Sequence, residues 1–516
     1  MTTDVLIVGY GPVGQVLALL LAQRGHRVTV LEKWQRPFPM PRAVSFDGES
    51  ARILAAAGVG RELGDAGEPS RDYIWRNARG DVLLSVDVAE HGQCGWPDST
   101  SMYQPGLEEA LARRGADHPS LTVLRGREVV EITEESDACV VTAADRSGSH
   151  TIHRARWLVG CDGANSFVRS QMGVDEVDLG FSNDWLTCDV TLREPRVFTP
   201  NNLQICDPVR PTTAVSAGPG HRRWEFMRVP GETVAELDSR EAAWRLLAPF
   251  DIHPGNAVLA RHAVYTFQAR YAERWRAGRM LIAGDAAHRM PPFAGQGMCS
   301  GFRDAANLAW KLDLVLSGHA GDALLDTYEV ERRAHVQHAI LMSVNLGRVI
   351  CQPDPAAAAD RDAAMLANRR RMAGRPQDPP MYQPLTTGLR ADSRAAGWLV
   401  PQGRVTAGGV TGLFDDVVGR GLILLVTPEV AAGLSGETVA FLRARDGQVV
   451  VLGEGSGQWA DTEGTYRRLL ARAGCRGLLV RPDHYVYGGG RTAAELDGVV
   501  AELRRSLTAR VSGVAR

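Results

Sequence analysis

Gly9, Gly11 and Gly14 follow the apolar run Asp4-Val-Leu-Ile-Val in the spacing G-x-G-x-x-G. A strand that enters such a turn and leaves it as a helix suits a dinucleotide. Gly9 permits the tight turn, Gly11 lets backbone approach a pyrophosphate, and Gly14 lets the helix pack against the strand. Pro12 and Val13 open that helix, which is predicted to run to Arg24 and stop at Gly25. A second strand, Arg27 to Leu31, ends at Glu32, with Lys33 after it. An acid at this distance beyond the turn can accept hydrogen bonds from both hydroxyls of a ribose. The chemistry implied is the holding of a dinucleotide cofactor.

Two later segments repeat the theme of an apolar strand that ends on an acid. Trp157-Leu-Val-Gly-Cys-Asp162-Gly163-Ala-Asn-Ser166-Phe-Val-Arg169 would by itself read as a simple turn. Met280-Leu-Ile-Ala-Gly284-Asp285-Ala-Ala-His288 continues through Pro291-Pro292-Phe-Ala-Gly295-Gln296-Gly297-Met298-Cys299 into a helix carrying Asp304, Asn307 and Lys311. Together the three segments resemble the FAD-dependent aromatic hydroxylases, the single-component class A flavoprotein monooxygenases. Pro41-Arg42-Ala43, Gly95-Trp96-Pro97, Gln104-Pro105, the run Cys206 to Pro211, and Glu225-Phe226-Met227 with Pro230 to Thr233 are similar to the 3-(3-hydroxyphenyl)propionate hydroxylase branch.

The resemblance implies that FAD is held by Gly9, Gly11, Pro12, Val13, Gly14, Glu32, Lys33, Arg42, Gln104, Asp162, Gly284 and Asp285, the last at the ribityl chain. Pro292, Gly295, Gln296, Gly297 and Met298 would lie along the isoalloxazine ring, with the Pro292 carbonyl near the reacting oxygen. It further implies that NADPH or NADH docks transiently as reductant, and that O2 forms a C4a-hydroperoxide which hydroxylates a phenolic ring ortho or para to its hydroxyl. A helix starting near Met298 would direct its positive end at the charge of reduced flavin. Cys299 departs from the family's usual Asn, which places that role on backbone. A catalytic partner for the phenol is expected on the sheet facing the flavin, with Tyr265 first and His262 second; Arg222 lies on the same strands. His288 reads as a loop-ordering residue. The alternatives are a tailoring hydroxylase or epoxidase of a larger aromatic metabolite, and a flavin protein that sequesters an aromatic ligand without turnover.

These residues need an α/β scaffold. The expected plan is a Rossmann-like FAD-binding domain over 1–179 and 276–350, interrupted by a β-sheet substrate domain over 180–275. A linker or arm at 351–394 and a thioredoxin-like domain at 395–516 complete it. In the middle unit, Trp185 to Leu192, Thr212 to Ser216, Arg222 to Val229 and Val258 to Phe267 read as strands. A strand at Met280 to Ala283 and a helix from Met298 to Leu316 follow, with more helix to about Val349. The prolines at 353, 355, 376, 379, 380 and 384 around Arg369-Arg370-Arg371 suggest the irregular arm. In the last unit Leu422 to Val426, Thr438 to Leu442, Val449 to Leu452 and Leu478 to Val480 read as strands, and Ala493 to Leu507 as a closing helix. Val480-Arg481-Pro482-Asp483-x-x-Val486 resembles the ending of the subfamily's thioredoxin-like domain. Cys475 is the only cysteine after 394, so no two-thiol chemistry is expected within that domain.

Composition excludes other classes. The chain has 516 residues, 44% hydrophobic and 23% charged, which is ordinary for a folded multidomain protein. With 58 basic against 60 acidic residues nothing global advertises nucleic acid or an anionic membrane. Lys33 and Lys311 are the only lysines, a bias that reads as genomic base composition. The eight cysteines form no C-x-x-C pair and no metal-ligand spacing with histidine, so no metal is expected. A reducing cytoplasm and a homodimer are expected, with no export signal and no membrane span.

Overall fold

The computed structural model describes residues 3–37, 42–373 and 382–508. Pro41, Pro376, Pro379 and Pro380 lie outside the described residues. The first strand, Thr3–Val8, is buried along Val5 to Val8 because both its faces are covered, as in the middle of a parallel sheet. It pairs in parallel with Val28–Glu32 on one side and His150–Gly160 on the other. Leu121–Arg125 and Met280–Ile282 extend this eight-stranded sheet outward, and three antiparallel strands complete it. The helices Pro12–Ala22 and Gly297–Leu316 pack together over it. The chemistry-bearing turns all lie at the carboxyl ends of these parallel strands, where open α/β sheets bind ligands.

The second sheet also has eight strands, in the order His288–Arg289, Ala257–Ala272, Glu176–Leu192, His221–Met227, Thr212–Ser216, Leu203–Cys206, Asp72–Asn77 and Val82–Asp87. Its central strands match the expected ones. The far edge, Asp72 to Asp87, comes from the part of the chain expected to belong to the nucleotide domain alone. Successive residues of a strand face opposite sides, and here the sides differ sharply. Leu186, Cys188, Val190, Trp224 and Phe226 form one core with Leu237, Ala243 and Leu247 of the short helices Val234–Leu237 and Arg240–Leu247. The other side carries Asp189, Arg223, Glu225 and Arg261.

Two expectations need correction. The arm over 351–394 contains an 18-residue helix, Pro355–Met372. Pro355 stands where helix starts tolerate proline, and Asp354 caps it by accepting from the Ala357 N–H at 2.8 Å. The Arg369 to Arg371 run is exposed on its last turn. Thr438 to Leu442 is not a strand but part of the helix Gly436–Arg443. Ser435 caps it, and Thr438, Phe441 and Leu442 are buried at helical rather than strand spacing.

The C-terminal unit has the thioredoxin-like plan. Ile423–Val426 pairs in parallel with Gln448–Val451 and antiparallel with Gly477–Val480, which pairs with Val486–Gly490. The helix Ala493–Thr508 closes it. Buried ion pairs fasten this unit to the nucleotide domain: Arg52 to Asp415 at 2.7 Å, and Arg481 to Glu331 at 2.7 Å. Among the described residues no helix is long and apolar enough to cross a membrane, and no group of three or more His, Cys, Asp or Glu could hold a metal.

Candidate active site

The three glycines at the first turn have different structural roles. A Cβ on Gly9, whose φ is +98°, would stand 2.5 Å from the Cys161 carbonyl oxygen, and one on Gly14 would stand 2.2 Å from that of Gly9. Those two positions are closed by backbone. A Cβ on Gly11 meets nothing within 4 Å. The open space lies before a helix start that has Pro12 at N1 and no side-chain cap, so its first N–H groups remain available to an anion. This is a cradle of the kind a pyrophosphate fills. Val13 serves it by packing: a Cβ on Gly284 would reach its side chain at 3.0 Å, and one on Gly301 at 2.5 Å.

Glu32 is buried, and its two carboxylate oxygens accept from the Tyr10 N–H at 2.7 Å and the Trp34 N–H at 2.8 Å. Each oxygen keeps a lone pair for a ribose hydroxyl. Lys33 is exposed, with its ammonium 5.5 Å from the centroid of the Trp34 ring. Arg42 and Asp285 face each other, Nη1 to Oδ2 at 3.5 Å, both partly open to solvent. These residues fit FAD: an acid for ribose, a bare helix start for phosphates, and an acid at the end of Met280–Ile282 for the ribityl chain.

Three of the expected cofactor residues also position other parts of the chain. The Gln104 side-chain oxygen accepts from the Arg42 and Ala43 N–H groups, both at 2.8 Å, and so shapes the Arg42 segment. Asp162 turns its carboxylate to the start of the helix Phe167–Gln171, accepting from Ser166 Oγ at 2.6 Å and the Val168 N–H at 3.1 Å, because free N–H groups there attract an anion. Gln296 accepts from Arg303 Nη1 at 3.0 Å and donates to Asp47 Oδ2 at 3.2 Å.

Gln296 belongs to the loop Pro292 to Met298. This loop makes a tight turn over Pro292–Ala294, passes Gly295 at φ +64°, and enters the helix Gly297–Leu316 with no side-chain cap. The Pro292 carbonyl accepts from the Gly295 N–H at 2.8 Å, which leaves one lone pair for other contacts. Cys299 is buried; burial pushes its thiol up to about 12, and the neutral S–H donates to the Gly295 carbonyl at 3.4 Å. Beneath the loop, Arg303 binds Asp47 and Glu49, each at 2.5 Å, and Tyr485 of the C-terminal domain donates to Glu49 at 2.8 Å. His288 is the loop-ordering residue its motif suggests: Nε2 lies 2.6 Å from Asp304 Oδ2, and both side chains are fully buried. Asp304 also accepts from the Gly284 N–H at 3.0 Å.

Strand register separates the two expected catalytic residues. Tyr265 pairs with Trp185, whose ring stacks on Phe267 and meets Phe293 of the loop, so Tyr265 shares the side that faces the nucleotide domain. His262 stands three positions earlier and takes the other side, with Nδ1 3.2 Å from Asp238 in the helix-covered layer. Arg222 also takes that side, stacked on Phe198 at 3.8 Å. Neither can wall a pocket that opens toward FAD.

The side shared by Tyr265 carries charges that motif reading passed over. Asp189 receives Arg223 Nε at 2.7 Å and Arg261 Nη1 at 3.3 Å. Arg261 lies over the Tyr265 ring at 4.6 Å, and Arg223 donates to the Arg42 carbonyl at 2.7 Å, which fixes this face against the cofactor side. Burial raises the pKa of Glu225, against the opposing pull of Arg223. The legible signal was alternation: Arg223 and Glu225 interleave with Trp224 and Phe226, so one side of the strand is charged and the other aromatic.

Asp285→Ala tests the cofactor side. Its carboxylate is partly exposed and outside the core, so the fold should persist while FAD binds roughly 10- to 100-fold more weakly, the loss of one or two hydrogen bonds to a charged group. Fluorescence titration of FAD alongside circular dichroism checks both halves.

The FAD binding domain family matches residues 2–343, and the HcaD C-terminal domain family matches residues 397–506. A probable NADH-specific resorcinol 4-hydroxylase of Rhodococcus jostii (strain RHA1) is 40% identical over 97% of this chain and 94% of its own length. The 3-(3-hydroxy-phenyl)propionate/3-hydroxycinnamic acid hydroxylase of Klebsiella pneumoniae is 38% identical over 70% of this chain and 65% of its own. The crystal structure of aklavinone-11 hydroxylase with FAD and aklavinone superposes with a TM-score of 0.77 at 24% identity, covering 97% of this chain and 98% of that one, and so shares the fold. With its glycine cradle, ribose acid, Gly284-Asp285 turn and inserted sheet, the chain belongs to the FAD-dependent aromatic hydroxylases, monooxygenases that use FAD and NAD(P)H.

Proposed function

We propose that the protein hydroxylates a phenolic ring ortho or para to its existing hydroxyl, with NADH as reductant. The observation that carries this reading is the placement of Tyr265 on the sheet face that Arg223 ties to the Arg42 segment. The full-length likeness to a relative named as a resorcinol hydroxylase supports a small dihydroxybenzene and NADH over a larger metabolite. Bound FAD, when reduced by NADH, would activate O2, of which one atom enters the ring and the other leaves as water. The protein's own residues do the rest. The Tyr265 hydroxyl orients the phenol oxygen and shares its proton, and Arg261 over its ring holds that side chain in place. Trp185, Phe267 and Phe293 form an apolar wall beside it that excludes water. The open helix start at Gly297 presents N–H groups to developing negative charge.

Screening phenols for accelerated NADH oxidation, with peroxide measured in parallel, tests the reading. Resorcinol should stimulate oxidation and be hydroxylated. If no phenol does so, the reading fails in favour of the larger-metabolite alternative. Tyr265→Phe should keep substrate-stimulated NADH oxidation but release more peroxide, with hydroxylation down by roughly 10² to 10⁴ if proton sharing is lost in full. Wild-type coupling in that variant would remove Tyr265 from the mechanism. We also infer a homodimer, which sedimentation tests.

A further inference from the structure

We propose that Glu225 binds a second ring hydroxyl of the substrate, so that the site takes a neutral dihydroxy ring and discriminates against phenols with a carboxylate side chain. The inference rests on the phenol-hydroxylase reading and names the substrate class within it.

Glu225 is 6% exposed, yet among the described residues no donor hydrogen-bonds its carboxylate. The nearest cation, Arg223 Nη1, stands 3.8 Å from Oε1, beyond hydrogen-bond length. Buried carboxylates are almost always hydrogen-bonded, since an unpartnered one loses its hydration without replacement. The Glu225 oxygens are not among the fully enclosed polar atoms that lack a partner, so they stay reachable from the face turned to the cofactor, where a ligand can supply the donor.

Register gives the span. Glu225 pairs with Thr187, which pairs with Ala263, so Glu225 lies two strands across and one side-chain step along from Tyr265, on the same face. Neighbouring strands are about 4.8 Å apart, which puts the two backbones roughly 10 Å apart across the sheet. With the two-residue step along the strand, about 6.8 Å, the backbones stand roughly 12 Å apart on the diagonal; both side chains rise from the same face, and a ring with two hydroxyls can bridge them.

The arginines decide against a carboxylate. Recognition of a carboxylate favours a guanidinium fork presented to the ligand. Arg223 already spends Nε and Nη2 on Asp189, at 2.7 and 3.1 Å, and Nη1 on the Arg42 carbonyl. Arg261 meets the same Asp189 and covers Tyr265. Two arginines and two acids already share this face, and a substrate carboxylate would add a third buried acid to it. A ring hydroxyl adds no charge and donates to Glu225.

The test is ligand titration of the FAD-loaded protein, read by perturbation of the flavin absorbance, with resorcinol, phenol and 3-(3-hydroxyphenyl)propionate as probes. Wild type should bind resorcinol roughly 10-fold more tightly than either other probe, the effect of one added buried hydrogen bond. Glu225→Gln should erase most of the preference for resorcinol over phenol, and Glu225→Asp should restore part of it. The proposal is overturned if wild type binds the propionate more tightly than resorcinol, or if folded, FAD-loaded Glu225→Gln keeps the wild-type preference. The comparison among probes on wild type decides the matter even where the variants fail to fold. A wild type that no phenol stimulates is a different failure, that of the hydroxylase reading itself.

Discussion

Gly11→Val should yield a folded protein that purifies without FAD. Gly11 has φ −76° and ψ −178°, an extended conformation any residue adopts, and its Cβ would enter empty space. Nothing in the polypeptide therefore resists the substitution. What the isopropyl group occupies is the room before the uncapped start of the helix Pro12–Ala22, where the pyrophosphate must approach backbone to within hydrogen-bond distance. An affinity loss of at least about 100-fold is expected, with the melting temperature of the FAD-free protein unchanged. Gly14→Val should instead fail to fold, since its Cβ would sit 2.2 Å from the Gly9 carbonyl oxygen. Absorbance at the flavin band and circular dichroism on both variants separate the outcomes, and full FAD occupancy in Gly11→Val would show that this loop does not hold the cofactor.

The contrast between those glycines shows what sequence alone can reach. The spacing identified the loop because three separate demands, a positive φ, a backbone crossing and a bare approach, all select glycine. It could not assign Val13, whose value lies in packing under Gly284 and Gly301, far along the chain. Four strands of the nucleotide sheet were legible for a similar reason: Thr3–Val8, Val28–Glu32, the end of His150–Gly160 and Met280–Ile282 are buried runs that each end in a turn with demanding chemistry, which the other four strands are not. The far edge of the second sheet was not, since nothing in Asp72–Asn77 says which sheet it joins, and its partner Leu203–Cys206 stands more than a hundred residues away.

The polar side of the second sheet was missed because motifs are sought as contiguous words, whereas Asp189, Arg223, Glu225 and Arg261 meet only through register. The same register separates Tyr265 from His262. An odd spacing within one strand already forbids a shared face, a rule available from the sequence once the strand is accepted. Thr438 to Leu442 misled in the opposite direction: a short run with a β-branched residue satisfies both periods, and the Ser435 cap settles it as helix.

The C-terminal domain is expected to matter to folding and FAD retention of its own chain, not first to assembly. Arg481, 1% exposed, donates to Glu331 at 2.7 Å, to Asp483 at 2.6 Å and to the Leu389 carbonyl at 2.8 Å. Glu331 also receives Lys311 at 2.8 Å and Asn307 at 2.7 Å, both from the helix Gly297–Leu316 that begins at the flavin loop. Arg481→Ala would leave two buried carboxylates short of their main cation, a loss of about 3–5 kcal/mol for a broken buried pair. The loss should depend on pH. Burial raises the Glu331 pKa, but Arg481 and Lys311 outweigh it and hold the carboxyl at about 2 against an ordinary 4.5. A depressed carboxyl stabilises the fold above its unfolded value and loses that contribution as pH falls from about 4.5 through 2. In Arg481→Ala, Glu331 takes up a proton more readily and no longer needs the cation. The stability gap between wild type and variant should therefore be widest near pH 7 and narrow as pH drops below about 4.5, as thermal melts across that range would read. Removing residues from 395 onward takes Arg481, Asp415 and Tyr485 together, and so strips Glu331, Arg52 and Glu49 of buried partners at once. Because Glu49 and Asp47 hold Arg303, and Arg303 holds Gln296, that truncation should lose FAD or solubility rather than only its oligomeric state. A soluble, FAD-loaded truncation with only an altered sedimentation coefficient would show that the domain serves assembly alone.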